Sequence, residues 1–290
     1  MSDDRGPVVH QHLLIHHLIA LRHERGLTQE QVGRALDWSH AKVMRFEGGA
    51  QVLPQSMLDA LLALYGITNT PLGRKLRALG EKARERAWWS AYRRLMKPAY
   101  RQFIGLEAGA DTIRQVHTAL IPGLLQTRDY TRCVTATWAE PREVEPLVEL
   151  RMRRQSGLGT RTPRPRQEYL LDETVLRKHT GISVDPAIMP RQLHHLVDMA
   201  GAPEVEIRVI PDGHGEHIGL TEGSFILLEF DNDLDDIFYT ENHNVCTLTD
   251  KKHEVEKYKT KFAETWEDAA LPEDKSLELI EHYALSMTTA

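Results

Sequence analysis

The sequence predicts a multidomain chain: an all-α five-helix module at the N-terminus, followed by an α+β domain built on a small mixed or antiparallel sheet. Three observations predict it. Up to about residue 86 the apolar residues recur at helical spacing, punctuated by capping residues and glycines. Further along, helical patterns are interleaved with short apolar runs bounded by turn residues, the mark of sheet strands. The charge is also divided: residues 1–96 carry 14 Lys plus Arg against 9 Asp plus Glu, a balance of +5, while residues 97–290 carry 22 against 33, a balance of −11. A basic module coupled to an acidic one is hidden in a whole-chain charge of −6.

In the first 86 residues each helix has a physical signature. Over 10–25, Leu14, Leu18 and Leu21 fall on one face, and Gly26 follows as a helix stop. Thr28 and Gln31 form a capping box that opens a second helix over 29–36. After the break at Asp37-Trp38, Ser39 caps a third helix over 40–47, which stops at Gly48-Gly49. A fourth helix spans about 55–65 and presents Met57, Leu58, Leu61, Leu62 and Leu64, and a fifth runs from Leu72 to about Arg86 with a dense basic face. Pro98 then disfavours one continuous helix. Helical patterns are expected at 101–118, 126–138, 142–155 and 190–201, strands at 167–171, 205–210, 224–230 and 237–240. A long helix follows at about 251–270, and a short terminal one at 276–286.

With 41% hydrophobic and 27% charged residues, the composition excludes a disordered chain. No apolar run approaches the ~20 residues of a membrane-spanning helix, and the first residues lack the pattern of a secretory signal. Two cysteines, Cys133 and Cys246, with no CxxC spacing, give no disulfide framework and no cysteine zinc site. A cytoplasmic, nucleoid-associated location is the expectation.

Residues 28–49 carry the clearest chemistry. Val32, Leu36, Val43 and Phe46 supply the inner face of two short helices, Gly33 permits their close approach and Trp38 plugs the turn. This is a helix-turn-helix unit, whose second helix lies in the major groove of double-stranded DNA. His40, Ala41, Met44 and Arg45 project away from the Val43/Phe46 face, with Lys42 beside them. Arg45 suits a two-hydrogen-bond contact to guanine. Lys42 and Gln29 suit phosphates, which set register without reading sequence. Together with Thr28 and Ser39, these are the expected DNA-binding residues. The run from Leu21 to Gly49, with Thr28-Gln29, Ser39 and Arg45-Phe46-Glu47 at matching places, resembles the Cro/CI-type (XRE) helix-turn-helix family. Gly33 stands where that family usually has Ala, and Asp37 where it usually has a turn glycine. The resemblance implies that Glu47 pairs with an arginine of the first helix, Arg22 or Arg25.

A second resemblance covers about residues 88–270. Its landmarks include Trp88-Trp89, Phe103-Ile-Gly-Leu-Glu-Ala-Gly109, Ile121-Pro-Gly-Leu-Leu-Gln-Thr127 with Tyr130, Arg151-Met-Arg-Arg-Gln155, Leu171-Asp-Glu-Thr-Val-Leu176 and Phe238-Tyr-Thr-Glu241. They look like the C-terminal domain of unknown biochemical activity found behind a helix-turn-helix in actinobacterial regulators, the WhiJ-like proteins. Membership implies a transcription regulator, often acting with a small, separately encoded partner protein.

Other constellations invite chemistry. Trp88, Trp89 and Tyr92, with Glu107, are candidates for a ligand or partner pocket, or more simply for core. Glu107, Glu173, Glu222, Glu229 and Glu241 would do acid/base work only if the fold paired two of them; exposed glutamate is the ordinary alternative. His12/His16 and His214/His217 each offer half of a zinc site with nothing to complete it. The 231–236 stretch begins like a calcium loop but lacks the glycine at position six, and has Asn242 at position twelve, so a polar hairpin is expected. No metal, no cofactor and no enzymatic activity are expected.

The boundaries read from these signals are a helix-turn-helix DNA-binding domain at 1–70, a helical linker at 71–100, an α+β effector or partner-binding domain at 101–272 and a C-terminal helix or tail at 273–290. The expected function is that of a homodimeric, DNA-binding transcription regulator whose second domain takes a small partner protein or a ligand. An antitoxin-like member of a two-protein module and a small-molecule sensor are the alternatives, and an enzyme tethered to a DNA-binding domain stands behind both.

Overall fold

The computed structural model describes residues 5–231, 233–241 and 246–288. Over these residues the chain divides into two compact units, Met1–Ser90 with Asp231–Leu234, and Ala91–Phe230 with Asp235–Ala290.

The first unit is all helical: α1 (Pro7–Glu24), α2 (Gln29–Ala35), α3 (His40–Glu47), α4 (Gln55–Leu64) and α5 (Pro71–Ala83). Local chemistry sets these ends. Pro7 occupies the first turn of α1, where its missing N–H costs nothing. Both halves of the Thr28/Gln31 capping box are formed. The Ser39 hydroxyl accepts from the Lys42 amide, and that of Thr70 from the Gly73 amide. Leu14, Leu18, Leu21, Val32, Val43, Phe46, Leu58, Leu61, Leu62, Tyr65 and Leu76 join in one core. Each fully buried Leu or Phe contributes about 1.5–3 kcal/mol relative to exposure. Helix α5 packs against both α1 and α4, and a Cβ on its Gly80 would lie 2.6 Å from Leu58 Cδ2. The compositional boundary at residue 70 therefore falls just before a helix that completes the five-helix core.

A 3₁₀ segment, Trp88–Leu95, crosses from the first unit into the second. There the chain forms α6 (Pro98–Glu107), β1 (Thr112–His117), α7 (Arg128–Ala136), α8 (Pro141–Thr160), β2 (Arg166–Asp172), α9 (Glu173–Arg177), α10 (Ile188–Ala200) and β3 (Val205–Ile210). It continues as α11 (Ile218–Glu222), β4 (Phe225–Glu229), β5 (Ile237–Glu241), β6 (Cys246–Thr249), α12 (Lys252–Asp268) and α13 (Glu273–Thr288). The six strands make one mixed sheet in the order β3-β2-β1-β4-β5-β6. β1 is parallel to β2, and β2 to β3; β4, β5 and β6 continue antiparallel from β1. Val116, Leu170, Phe225, Leu227 and Phe238 form a core with Val255, Phe262 and Trp266 of α12. On β1 the neighbours of Val116, Gln115 and His117, point to the opposite face by the period of two.

Three expectations need correction. The 101–118 stretch is not one helix: α6 ends at Glu107 and β1 begins at Thr112, because Ile113 and Val116 mimic helical spacing while central-strand pairing on both edges fixes the segment as extended. The strand β6 was not foreseen; its four residues, Cys-Thr-Leu-Thr, carry little apolar signal. The terminal helix is longer than 276–286, and Ser276, Ile280 and Ala284 are fully buried. It packs on α10 and β3. The Ser276 Oγ accepts the Val209 amide at 2.9 Å, and the Val209 carbonyl accepts from the Leu271 amide at 2.8 Å. Strands β4 and β5 pair antiparallel, as a hairpin requires; Asn232 and Asn242 lie outside the described residues.

Candidate nucleic-acid interface

The helix-turn-helix geometry starts from two backbone constraints between α2 and α3. Asp37 adopts φ +54°, the left-handed conformation that Asp tolerates better than most residues. The Trp38 amide donates to the Gly33 carbonyl at 2.8 Å. A Cβ on Gly33 would stand 2.8 Å from the Trp38 carbonyl oxygen, so the alanine of the resembling family has no room in this turn. The Trp38 ring meets Phe46 edge to face, with centroids 6.3 Å apart, and fills the angle between the helices.

A buried ionic network holds the end of α3 to α1. Arg22 donates from Nε to Glu47 Oε1 at 2.7 Å and from Nη2 to Oε2 at 2.9 Å, and its Nη1 caps the Leu27 carbonyl at 3.0 Å. The arginine partner of Glu47 is therefore Arg22; Arg25 donates instead to the Tyr65 carbonyl. The hydrogen bonds from Arg22 to Glu47 raise the guanidinium pKa above its ordinary value, ahead of the opposing effect of burial. The Tyr65 hydroxyl, buried and close to Glu47, is pushed up to about 12.

With Val43, Phe46 and Glu47 buried, the other side of α3 faces outward. His40, Ala41, Met44 and Arg45 are all exposed, Met44 to 52%. Lys42 is partly buried, with its Nζ 4.7 Å from the centroid of the Trp38 ring. Thr28 and Ser39 are exposed but act first as helix caps. Gln29 turns its side-chain amide to Glu47 Oε2 at 2.8 Å and so braces the ion pair, leaving one amide hydrogen for a phosphate. A cleft of about 610 Å³ opens beside these groups, lined by His23, Thr28, Gln29 and His40 among others. The Gln29 contact was not legible from spacing, since it depends on where the end of α3 returns to the start of α2.

The other candidate residues are dispersed. Trp88 and Trp89 meet edge to face with centroids 5.4 Å apart, Trp89 buried and Trp88 and Tyr92 half-buried. Glu107 lies fully buried in the second unit, with both carboxylate oxygens taken by Arg154. The other glutamates also have separate partners: Glu173 accepts from Tyr283 Oη and the Asp212 amide, Glu222 from Tyr258, Glu229 from Arg114 and Glu241 from Tyr239. His217 directs Nε2 at Asp172 Oδ2, 3.0 Å away, and accepts the Gly219 amide on Nδ1, so both ring nitrogens are engaged. Among the described residues no group of three or more His, Cys, Asp or Glu is placed to hold a metal ion, and no helix is long and apolar enough to cross a membrane.

Comparison with known proteins agrees with this division. The model of a helix-turn-helix domain matches residues 14–72, and that of a domain of unknown function (DUF5753) matches residues 100–282. No curated protein and no solved structure matches the chain. Because the second match spans more than half of the sequence and takes in the mixed sheet and most of its helices, the chain belongs to the DUF5753 family, with a helix-turn-helix domain in front of it.

Proposed function

We propose that this protein is a DNA-binding transcription regulator of the WhiJ-like actinobacterial kind, acting as a homodimer in the cytoplasm, whose C-terminal unit binds a partner protein or ligand that modulates DNA occupancy. One observation carries the reading: α3 presents an exposed face of His40, Ala41, Met44 and Arg45 while its opposite face is locked into the core by Val43, Phe46 and the Arg22–Glu47 pair. A rigid short helix, capped by Ser39 and carrying an unburied arginine, is what insertion into a major groove requires. In this reading Arg45 reads base edges, Lys42 and Gln29 contact phosphate, and Thr28 and Ser39 fix the helix starts. The C-terminal unit is taken as a binding rather than a catalytic domain, which the separate partners of its glutamates and the doubly engaged His217 support.

Fluorescence anisotropy with the upstream region of the protein's own gene tests the assignment. Arg45→Ala together with Lys42→Ala is expected to weaken binding at least tenfold, with the helical content intact. Tight binding unaffected by the pair of substitutions would overturn the role given to α3.

A further inference from the structure

On the sheet face carrying Gln115 and His117, α6, the 121–127 loop and α8 bring together cations that DNA binding leaves without a task. Arg154 is buried and neutralised by Glu107, and its Nη1 donates to Tyr100 Oη at 3.3 Å. One turn earlier on α8, the half-buried Arg151 donates from Nη1 to the Gln126 side-chain carbonyl and also bonds Tyr100. Its hydrogen-bonding partners are thus neutral, and among the described residues no carboxylate pairs with it. Glu241 attracts it electrostatically without a hydrogen bond among the described residues, and already accepts from Tyr239 Oη at 2.8 Å. Burial, and then the neighbouring Arg154 charge, lower the pKa of Arg151. A partly desolvated cation without a hydrogen-bonded counter-ion is costly, and an anion that reaches it relieves the cost.

The 121–127 loop lies against the two guanidinium groups. Gln155 Nε2 fastens it by donating to the carbonyls of Gly123 and Gln126, both at 2.9 Å. A Cβ on Gly123 would lie 3.4 Å from Arg154 Nη1 and 3.7 Å from Arg151 Nε, so any side chain at this position would rest directly against both guanidinium groups.

We propose that Arg151, flanked by Tyr100 and the Gly123 backbone, binds a small anion bearing a carboxylate or phosphate group. The planar guanidinium fork suits either group through paired hydrogen bonds. The balance of −11 over residues 97–290 disfavours a polyanion such as nucleic acid at the same place. This rests on the reading of the C-terminal unit as a binding domain, and it names the ligand chemistry that the domain would sense.

Thermal unfolding of the full-length protein tests it, with inorganic phosphate in one arm and acetate in the other, each titrated against chloride at constant ionic strength. A saturable rise of a few degrees is expected in at least one arm, and the responding arm identifies the group that is read. Arg151→Met is expected to abolish that rise while leaving the protein at least as stable in chloride, because the uncompensated charge is gone. Arg191→Gln, a surface change, is expected to keep it. Should Arg151→Met fail to fold, Gly123→Ala gives the same reading by placing a methyl group against the fork, and is expected to weaken the response. No rise above the chloride control in either arm, or a rise that survives in Arg151→Met (an undiminished rise in Gly123→Ala, if that variant is used), overturns the site. Anisotropy on the same samples separates the two readings: a missing anion response with intact DNA binding counts against this site alone, and the converse against α3 alone.

Discussion

Arg22 and Glu47 lie in the interior of the helical unit, and a buried ion pair of this kind is costly to break from one side. Glu47→Ala leaves Arg22 charged and desolvated, and is expected to destabilise the first unit by about 3–5 kcal/mol. Replacing both partners, Arg22→Met with Glu47→Leu, is expected to recover most of that loss; urea unfolding of the three variants checks it, and equal losses in the single and double variants would contradict it. The pair was half legible: the resemblance left Arg22 and Arg25 open, and only the position of the Tyr65 carbonyl decides between them. His117 makes a pH-dependent contribution in the second unit. Burial, and then Arg154, push its pKa down to about 3, whereas the unfolded chain titrates near 6.5. Between these values the unfolded state binds the extra proton, so stability falls as pH drops below about 6.5. His117→Gln is expected to flatten that slope by at most about 1.4 kcal/mol per pH unit, seen by chemical denaturation between pH 6 and pH 4.

Among the elements, those with strong local chemistry were read within a few residues. The start of α2 was fixed by its capping box and that of α3 by Ser39; β3 was bounded by turn residues and coincides with its expected span. What escaped depends on tertiary pairing. β1 has an ambiguous Ile113/Val116 spacing, and its state is decided by β2 and β4, more than 50 residues away in sequence. The five-helix core needed α5, which composition alone had assigned to a linker although Leu76 and Gly80 pack inward. For 273–290 the sequence supports only a short terminal helix or tail, because the hydrophobic pattern is diluted by Lys275, Glu278 and Glu281. Ending the chain after Pro272 is therefore expected to unfold the second unit and not merely shorten it, giving a loss of cooperative melting by circular dichroism. A truncated chain that melts like the full-length protein would refute this placement.

For the molecule as a whole, the division of charge sets how it responds to salt. If Lys42 meets a phosphate, Lys42→Ala is expected to weaken binding to all sequences alike and to reduce the slope of log K against log salt by about 0.9. Arg45→Ala is expected instead to change the ranking of operator variants. Anisotropy over a salt series measures both, and a specificity change from Lys42→Ala with no change of slope would reverse the two roles. The candidate DNA-facing residues were legible because one short amphipathic helix exposes them together; the Arg151 cluster was not, since it unites three distant segments. The Val209 contacts carry one more consequence. β3 is an edge of the sheet, and at Val209 its outward N–H and C=O are both occupied, by Ser276 and Leu271. Without α13 the Val209 N–H loses Ser276 and the strand presents a free backbone donor to a neighbouring molecule, so chains lacking that helix should gather into sheet-linked aggregates in proportion to their concentration.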